Sequence, residues 1–326
     1  MKAILIKQPG PPENMYIGAW EKPQPKYNEI LVKVAATALN RADTLQRQGK
    51  YPPPQGASPI LGLEIAGEVV ETGTSVRQWK KGDLVFGLVP GGAYAEYAVI
   101  HEEMALKMLP NLSFTEAVAI PEVFLTAYQA LAWLGCLQSG EKVLVHAGAS
   151  GVGTAAIQIA RALGAEVLAT ASASKHDICS DLGAKHVIDY HSEDFHKKVM
   201  EYTSGQGVDV IIDFIAANYF QQNLDSLNTD GRLVILALLG GVEVDHFNLA
   251  KVLVKRLQIM GSTLRARNLN YQIRLCREMW SFAKPLFAKG NLKAIIDSVL
   301  PWTEVVEAHH LMESNKNKGK IILKIE

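Results

Sequence analysis

Short apolar runs separated by turn residues fill the first third of the chain. The runs at 30–36, 65–71 and 94–100 contain β-branched and aromatic residues, which favour the pleated surface of a sheet. Lys81-Gly-Asp83 and Pro90-Gly-Gly92 mark turns between such runs. This pattern predicts an antiparallel β domain.

The middle of the chain has a different pattern, in which buried-strand runs alternate with helical stretches. Strands are predicted at 142–146, 166–171, 186–188, 208–214, 232–236 and 257–261. The first three are followed by predicted helices that end near Arg161, Leu182 and Thr203. Repeated alternation of strand and helix predicts an α/β fold, with a doubly wound parallel sheet covered by helices on both faces.

Proline divides the chain further. Twelve of the fourteen prolines lie at or before Pro121, and none lies between residues 122 and 284. Because proline lacks an amide donor and breaks regular structure, the front is expected to be rich in turns and the middle regular. We therefore predict a β-rich domain at 1–121 and an α/β domain at 122–265. Short strands at 296–300 and 320–325 predict that the tail, 266–326, returns to the first domain.

Composition and charge narrow the class of protein. The 326 residues include 33 basic and 33 acidic side chains, so the net charge is zero, and 48% of the chain is hydrophobic. These values exclude intrinsic disorder and give no basic field for nucleic acid or an anionic membrane surface. The uncharged stretches at 123–140 and 143–160 contain glycine and polar residues, so we interpret both as buried core rather than membrane spans.

The three cysteines favour a reducing compartment. Cys136, Cys179 and Cys276 form no C-x-x-C pair, which argues against a disulfide framework and a cysteine zinc site. The start of the chain has too few apolar residues before Lys7 for a signal peptide. We expect a cytoplasmic protein.

One glycine-rich motif, Val143-Leu-Val-His-Ala-Gly-Ala-Ser-Gly-Val-Gly153, ends a predicted strand and opens a helix. The unpaired amides and the positive dipole end at such a junction bind the pyrophosphate of a dinucleotide. In the pattern G-x-G-x-x-G the middle glycine is replaced by Ser150, whose hydroxyl is a candidate donor to a phosphate oxygen. The alternative is an ordinary glycine-rich turn. The predicted cofactor contacts here are Gly148, Ser150, Gly151, Val152 and Gly153.

The end of the next strand indicates which dinucleotide binds. An NAD site usually has an acidic residue about 20 positions after the glycine turn. Here Ser172, Ser174 and Lys175 occupy that region, with no carboxylate before Asp177. Two hydroxyls and an ammonium suit a 2′-phosphate, so NADP(H) is predicted, with contacts from Ser172 and Lys175. The alternative is that Lys175 is a solvated residue at a helix start.

Further positions follow the other predicted strands. Loops at the carboxyl ends of strands hold ligands in open α/β sheets. The backbone at Leu238, Gly240, Leu264 and Arg265 is therefore expected to contact the nicotinamide. His146 is interpreted as a buried structural histidine rather than an acid or base.

Several segments, together with the glycine motif, resemble the quinone oxidoreductase branch of the medium-chain dehydrogenase/reductase superfamily, most of all its p53-inducible subgroup. They are Leu39-Asn-Arg-Ala-Asp43, Gly49-Lys-Tyr-Pro-Pro-Pro54, Gly62-Leu-Glu-Ile-Ala-Gly67 and Ser314-Asn-Lys-Asn-Lys-Gly-Lys320. The resemblance covers nearly the whole chain and implies a GroES-like β-rich catalytic domain, a Rossmann domain that binds NADPH, and usually a homodimer. It also implies cofactor or substrate contacts at Asn40, Tyr51, Thr126, Ser172, Lys175, Tyr190 and Asn317.

The resemblance also bears on zinc. Zinc-dependent relatives have a cysteine at the position of Asn40 and a histidine at that of Leu63. Catalytic zinc needs three protein ligands and an open position, and two of the expected ligands are missing. Adjacent His309 and His310 face different sides of a helix and are poorly placed for one metal. No metal site is predicted.

Without a Lewis acid the acceptor must already be electrophilic, as quinones and conjugated enones are. The protein then positions the acceptor and donates to the oxygen that gains charge. Asn40 and Tyr51 are the predicted catalytic donors, because an amide donates without changing its charge and a phenol is protonated at neutral pH. The alternatives are that Asn40 caps a helix over 41–48 and that Tyr51 packs beside Pro52.

The sequence thus predicts NADPH-dependent, zinc-independent reduction of quinones by hydride transfer from the nicotinamide. An NADPH-dependent enone or alkenal double-bond reductase is the first alternative, and a non-catalytic NADPH-binding structural protein is the second. The expected partners are a small-molecule quinone or enone and a second copy of the chain, with no nucleic acid and no membrane.

Overall fold

Residues 1–325 are described by a computed structural model, which divides into two compact units. Unit 1 comprises Met1–Leu125 and the chain from Arg265 onwards, and unit 2 comprises Thr126–Leu264. These bounds lie close to the predicted ones at 121 and 265.

The strands in the described part of the chain are β1 (Lys2–Ile6), β2 (Met15–Ala19), β3 (Glu29–Ala38), β4 (Glu64–Thr72), β5 (Leu84–Leu88), β6 (Tyr97–His101), β7 (Ala105–Lys107), β8 (Lys142–Val145), β9 (Glu166–Ala171), β10 (His186–Asp189), β11 (Val208–Asp213), β12 (Leu227–Ile235), β13 (Gln258–Gly261), β14 (Ile296–Pro301) and β15 (Lys320–Lys324).

The α-helices in the same residues are α1 (Arg41–Arg47), α2 (Phe114–Val118), α3 (Pro121–Tyr128), α4 (Gly151–Ala162), α5 (His176–Leu182), α6 (Phe195–Tyr202), α7 (Phe220–Ser226), α8 (Leu249–Val254), α9 (Leu269–Ala288) and α10 (Val305–Glu313).

The longest of these helices, α9, includes Pro285 in its last turn. Asn268 caps its start, because the Asn268 side chain accepts from the amide of Tyr271 at 2.9 Å. The sequence pattern predicts no element there. The helix packs on the unit 1 core, where the ring of Phe287 lies 4.9 Å from that of Phe124.

The main sheet of unit 1 has the order β14-β15-β3-β4-β5-β7, with β6 also paired to β3. Its pairs are antiparallel except for β14 with β15, as the short runs and turns of the first third predict. The C-terminal strand β15 lies between β14 and β3, with Lys324 opposite Ala36. The last described strand is therefore an interior strand of this sheet, next to its β14 edge.

The sheet of unit 2 is parallel throughout and has the order β10-β9-β8-β11-β12-β13. Leu144, Ile211 and Leu233 from three of these strands are fully buried in its core. This confirms the predicted Rossmann-type fold class. The strand order reverses between β8 and β11, and ligands bind beyond the carboxyl ends of the strands at such a reversal.

One helical stretch, Phe114–Leu134, is long and apolar enough to cross a membrane by length and composition alone. However, 67% of its most apolar window is buried inside the protein. The helices of a soluble core pass the same test, so this stretch is weak evidence for a span.

Candidate active site

A buried ion pair lies in unit 1. The ammonium of Lys320 on β15 lies 2.6 Å from Oε1 of Glu64 on β4, and the side chains are 3% and 0% exposed. Lys320 also donates to the carbonyl of Leu39 at 2.7 Å, and the amide of Glu122 donates to Oε2 of Glu64 at 2.8 Å. Each charge therefore has an opposite charge and further hydrogen bonds, which is the condition under which buried charges are tolerated.

This ion pair fixes the orientation of the Asn40 amide. Oδ1 of Asn40 accepts from Lys320 at 2.6 Å, and Nδ2 donates to Oε1 of Glu64 at 2.9 Å. An ammonium only donates and a carboxylate only accepts, so the flipped amide is excluded. Nδ2 has one other contact, a long one of 3.5 Å to the carbonyl of Ala38. Its second hydrogen is therefore only weakly bonded within the protein.

Asn40 also begins helix α1. Its backbone amide donates to Oδ2 of Asp43 at 2.8 Å, and the amide of Gly62 donates to Oδ1 at 3.0 Å. Burial raises the pKa of Asp43 to about 6, and the two backbone donors act in the opposite direction. The Asp43 carboxyl thus holds the start of α1 against the turn before β4.

Tyr51 belongs to a second group. The guanidinium of Arg265 lies 5.5 Å from the centre of the Tyr51 ring, and its Nε and Nη2 donate to the carbonyl of Pro90 at 2.9 and 2.7 Å. Burial raises the pKa of Tyr51, so the phenol is protonated at neutral pH and able to donate. The structure therefore places Arg265 beside Tyr51 through its side chain, whereas the sequence predicts a role for its backbone.

In unit 2 the glycine motif forms the turn between β8 and α4. Oγ of Ser150, the N-cap of α4, accepts from the amide of Gly153 at 3.1 Å, which leaves the hydroxyl hydrogen for a further acceptor. A Cβ on Gly153 would lie 2.3 Å from the carbonyl oxygen of Ala147, and one on Gly148 would lie 2.9 Å from Cβ of Ala169. Both glycines are therefore required by close packing.

The start of α4 fits a dinucleotide. Gly151, Val152 and Gly153 form its first turn. The Gly153 amide is capped by Ser150, while the amides of Gly151 and Val152 precede the first acceptor of the helix. Together with the helix dipole they suit a pyrophosphate.

The neighbouring parallel strands β9 and β10 are each followed by predicted cofactor residues. Ser172 comes directly after β9, Lys175 ends the 3-10 turn that follows, and Tyr190 comes directly after β10. The carboxyl ends of β9 and β10 meet at one edge, with Ala171 opposite Asp189. Asp189 accepts from the Ser192 hydroxyl at 2.8 Å and the amide of His191 at 3.2 Å, so its carboxylate is engaged within its own loop.

The other predicted cofactor residues lie in several places. The amide of Gly240 donates to the carbonyl of Ile215 at 2.7 Å, which ties the loop containing Leu238 to the loop after β11. Leu264 is buried and follows β13. Thr126 lies on α3. Asn317 lies in unit 1 before β15 and donates to the carbonyl of Gly319 at 2.8 Å.

Comparison with known proteins identifies the family. An alcohol dehydrogenase GroES-like domain model matches residues 26–111, and a zinc-binding dehydrogenase model matches residues 151–282. Human quinone oxidoreductase is 32% identical over 334 residues, which cover 99% of this chain and 97% of that protein. The chain belongs to the medium-chain dehydrogenase/reductase superfamily.

Solved structures agree. The CurK enoyl reductase is 31% identical with a TM-score of 0.89 over 100% of this chain and 99% of that chain. An NAD-dependent alcohol dehydrogenase has the same identity and TM-score over 100% of both chains. As a member of this superfamily, the protein is an oxidoreductase that uses a nicotinamide cofactor and acts on a small molecule.

The match to a zinc-binding dehydrogenase model raises the question of which side chains could bind zinc. Within residues 1–325, no group of three or more His, Cys, Asp or Glu side chains is placed to hold a metal ion. The family resemblance implies that zinc-dependent members carry ligands at the positions of Asn40 and Leu63.

Sequence reasoning does not identify Glu64 and Lys320 as site residues, although both lie in segments that carry the family resemblance. A usable signal exists in each segment. Glu64 is followed by Ile-Ala-Gly67, and Lys320 by Ile-Ile-Leu323, so each is a charged residue at the start of an apolar strand. Two opposite charges in such positions indicate a buried pair.

Proposed function

We propose that this oxidoreductase reduces quinones with NADPH, without zinc, in the cytoplasm. The main support is the Asn40 amide, which Lys320 and Glu64 hold in a single orientation. A preorganised donor of this kind stabilises charge that develops on an acceptor oxygen, and it does so without reorganising during the reaction. Human quinone oxidoreductase, at 32% identity over nearly the whole chain, supports the same substrate class.

One group of residues binds the dinucleotide, and a second group positions the acceptor. The turn at Gly148–Gly153 and the first amides of α4 hold the dinucleotide, which supplies the hydride when bound. Asn40 and the protonated phenol of Tyr51 orient the acceptor and donate to its oxygen. Asn40 and Leu63 at the zinc-ligand positions support a reaction in which these donors replace a Lewis acid.

The preference for NADPH rests on Ser172 and Lys175. They follow β9 at the edge where the ribose of a dinucleotide lies in Rossmann domains, and an ammonium there suits a 2′-phosphate. Asp189, the carboxylate opposite this strand end, accepts hydrogen bonds from its own loop. This arrangement favours a phosphate over a bare ribose.

A double-bond reductase is the second candidate, because the CurK enoyl reductase matches this chain at a TM-score of 0.89. Reduction of a conjugated enone uses the same hydride donor and the same donors to the carbonyl oxygen. It adds a proton transfer to carbon.

A substrate panel tests the proposal. Loss of reduced-nicotinamide absorbance is followed with NADPH and with NADH, against quinones and conjugated enones. We expect quinone turnover with a higher kcat/KM for NADPH than for NADH. Tyr51→Phe is expected to lower kcat for quinones by at least about tenfold, the effect of removing a donor to a developing oxyanion, with the Kd for NADPH unchanged.

Tyr27→Phe is the matched control, since Tyr27 lies in unit 1 and is 75% exposed; it is expected to behave like the wild type. Turnover of enones alone would replace the proposal by the double-bond reductase. Tight NADPH binding without oxidation by either class would indicate a structural NADPH-binding protein.

We also propose that the protein is a homodimer formed through the edge of the unit 2 sheet. Strand β13 is paired on one side only, with β12. Large apolar side chains are exposed on β13 itself, with Ile259 at 37%, and on the preceding helix α8, with Leu253 at 80% and Val254 at 74%. An unpaired edge beside an apolar surface favours a symmetric contact in which a second copy covers both.

Sedimentation equilibrium is expected to give twice the chain mass of 35.6 kDa. Leu253→Glu is expected to raise the dimer dissociation constant by at least about tenfold, because a carboxylate would be buried in the contact. Tyr27→Glu, at an exposed position in unit 1, controls for the added charge. A wild-type mass of one chain at working concentration would reject the dimer.

A further inference from the structure

A chain of buried hydrogen bonds crosses the point in unit 2 where the strand order reverses. It joins His146 after β8, Thr170 near the end of β9, Asn223 on α7 and Asp213 at the end of β11. His146, Asn223 and Asp213 are completely buried, and Thr170 nearly so. This series of hydrogen bonds therefore connects the ends of three strands at the edge of the sheet where dinucleotides bind in such folds.

The donors and acceptors in this chain can be assigned from Asp213 outwards. Its carboxylate accepts from the amides of Ile215 and Ala216 at 2.8 and 3.1 Å, and from Nδ2 of Asn223 at 3.1 Å. Since Nδ2 of Asn223 faces Asp213, its Oδ1 faces Nε2 of His146 at 2.8 Å. A carbonyl oxygen only accepts, so Nε2 of His146 carries a hydrogen.

The other end of the chain reaches the glycine turn. Burial lowers the pKa of His146, and the nearby charge of Asp213 acts in the opposite direction. In the neutral ring Nδ1 accepts, so the hydroxyl of Thr170 donates to it at 3.0 Å. Oγ1 of Thr170 then accepts from the amide of Ala147 at 3.3 Å.

Thr170 holds two consecutive amides of the turn. Besides the Oγ1 contact with Ala147, its backbone carbonyl accepts from the amide of Gly148 at 2.8 Å. Ala147 has a φ of 48°, in the left-handed region that a residue with a Cβ adopts only when its surroundings hold it there. The contacts of Thr170 supply that restraint.

We propose that Thr170, His146 and Asn223 are positioning residues for the cofactor site: they hold the phosphate-binding turn in shape and tie it to the loop after β11. The inference rests on the proposed function only in requiring that unit 2 bind NADPH. Each hydrogen bond in this series has a fixed donor and a fixed acceptor. Each group has one role, and removal of one hydroxyl leaves both the Ala147 amide and Nδ1 of His146 without their partner.

Thr170→Val tests the role of the hydroxyl because it keeps the branched shape of the side chain. We expect the Kd for NADPH, measured by fluorescence titration, to rise at least about tenfold, with kcat for the acceptor at saturating NADPH nearly unchanged. Thr170→Ser restores the hydroxyl and is expected to stay within about threefold of the wild type.

Thr203→Val is the matched control. Thr203 is also a buried threonine of unit 2, and its Oγ1 donates to the carbonyl of Val199 at 2.7 Å and accepts from the amide of Gly207 at 2.9 Å. We expect it to lower stability with no change in the Kd for NADPH. An unchanged Kd in Thr170→Val, or an equal rise in Thr203→Val, would overturn the inference. Failure of the wild type to bind NADPH would instead reject the proposed function.

A measurement on the unmodified protein covers the case in which Thr170→Val does not fold. Nitrogen NMR of histidine-labelled protein distinguishes the two neutral tautomers from the imidazolium. The His146 signal can be assigned by its contacts with the rings of Phe195 and Tyr219, at centroid distances of 4.8 and 4.9 Å. We expect the neutral form with hydrogen on Nε2, with and without NADPH. Hydrogen on Nδ1, or a charged ring, would contradict the assigned chain.

Discussion

Lys320→Met is expected to lower the free energy of unfolding of unit 1 by about 3–5 kcal/mol, the usual effect of removing one partner from a buried ion pair. The Glu64 carboxylate would keep its contacts with Asn40 and the amide of Glu122, but no positive charge would balance it. The Asn40 amide would also lose the donor that fixes its orientation. We therefore expect kcat for the acceptor to fall at least about tenfold in the fraction that remains folded.

Urea unfolding followed by tryptophan fluorescence suits this test. Four of the five tryptophans, Trp20, Trp79, Trp280 and Trp302, belong to unit 1. The control is Lys324→Met, which removes an exposed lysine from the same strand and is expected to change the free energy of unfolding by less than about 0.5 kcal/mol.

The double variant Lys320→Met, Glu64→Gln separates lost charge balance from lost packing. It removes both charges while keeping an oxygen and an amide at position 64. We expect it to recover roughly half of the stability lost in Lys320→Met, since the uncompensated carboxylate is gone. A double variant no more stable than Lys320→Met would show that packing, not charge, dominates at this position.

Gly153→Ala is expected to weaken NADPH binding by about 100-fold, which corresponds to about 2.7 kcal/mol. The added Cβ would lie 2.3 Å from the carbonyl oxygen of Ala147 and 2.7 Å from that of Gly148. Both are backbone atoms, so the turn itself must move, and its amides would no longer point at one pyrophosphate position. Calorimetric titration with NADPH measures the change.

Gly205→Ala adds the same methyl group in the same unit, between α6 and β11, where the added Cβ meets no heavy atom within 4 Å outside its chain neighbours. The φ of 80° at Gly205 makes a small loss of stability expected, but the position lies at the opposite edge of the sheet from the glycine turn. We expect the affinity of this variant for NADPH to equal that of the wild type. A Gly153→Ala variant that binds NADPH as tightly as Gly205→Ala would mean that the turn does not contact the dinucleotide.

Elements with a local pattern can be predicted from this sequence. The strand predicted at 166–171 has the same bounds as β9, because the apolar or small residues at 167–171 follow a turn and leave few alternatives. The strand predicted at 232–236 instead begins at Leu227. Polar residues at 228–230 hide its start, and the register shifts there, with Val208 opposite Leu227 and Val210 opposite Arg232. Such a bulge interrupts the periodicity on which the prediction depends.

The candidate site was harder to predict because its decisive contacts are not local. The glycine turn and the Asn40 position follow from motifs, but Lys320 and Glu64 are 256 positions apart, and no short pattern joins them. Helix α9 was missed for a different reason. Pro285 lies within it, and proline is normally interpreted as the end of a helix rather than part of its last turn.

The interior position of β15 in the unit 1 sheet affects the order in which the two units can fold during translation. Unit 2 is continuous in sequence, from Thr126 to Leu264, so all six strands of its sheet have been made before Lys320 is added to the chain. Unit 1 must wait for its last strand, which pairs with β3 and brings the only ammonium bonded to Glu64 in the described structure. During translation, unit 2 is thus ready to fold first. A nascent chain released before β15 lacks both an interior strand and the counter-ion of a buried carboxylate.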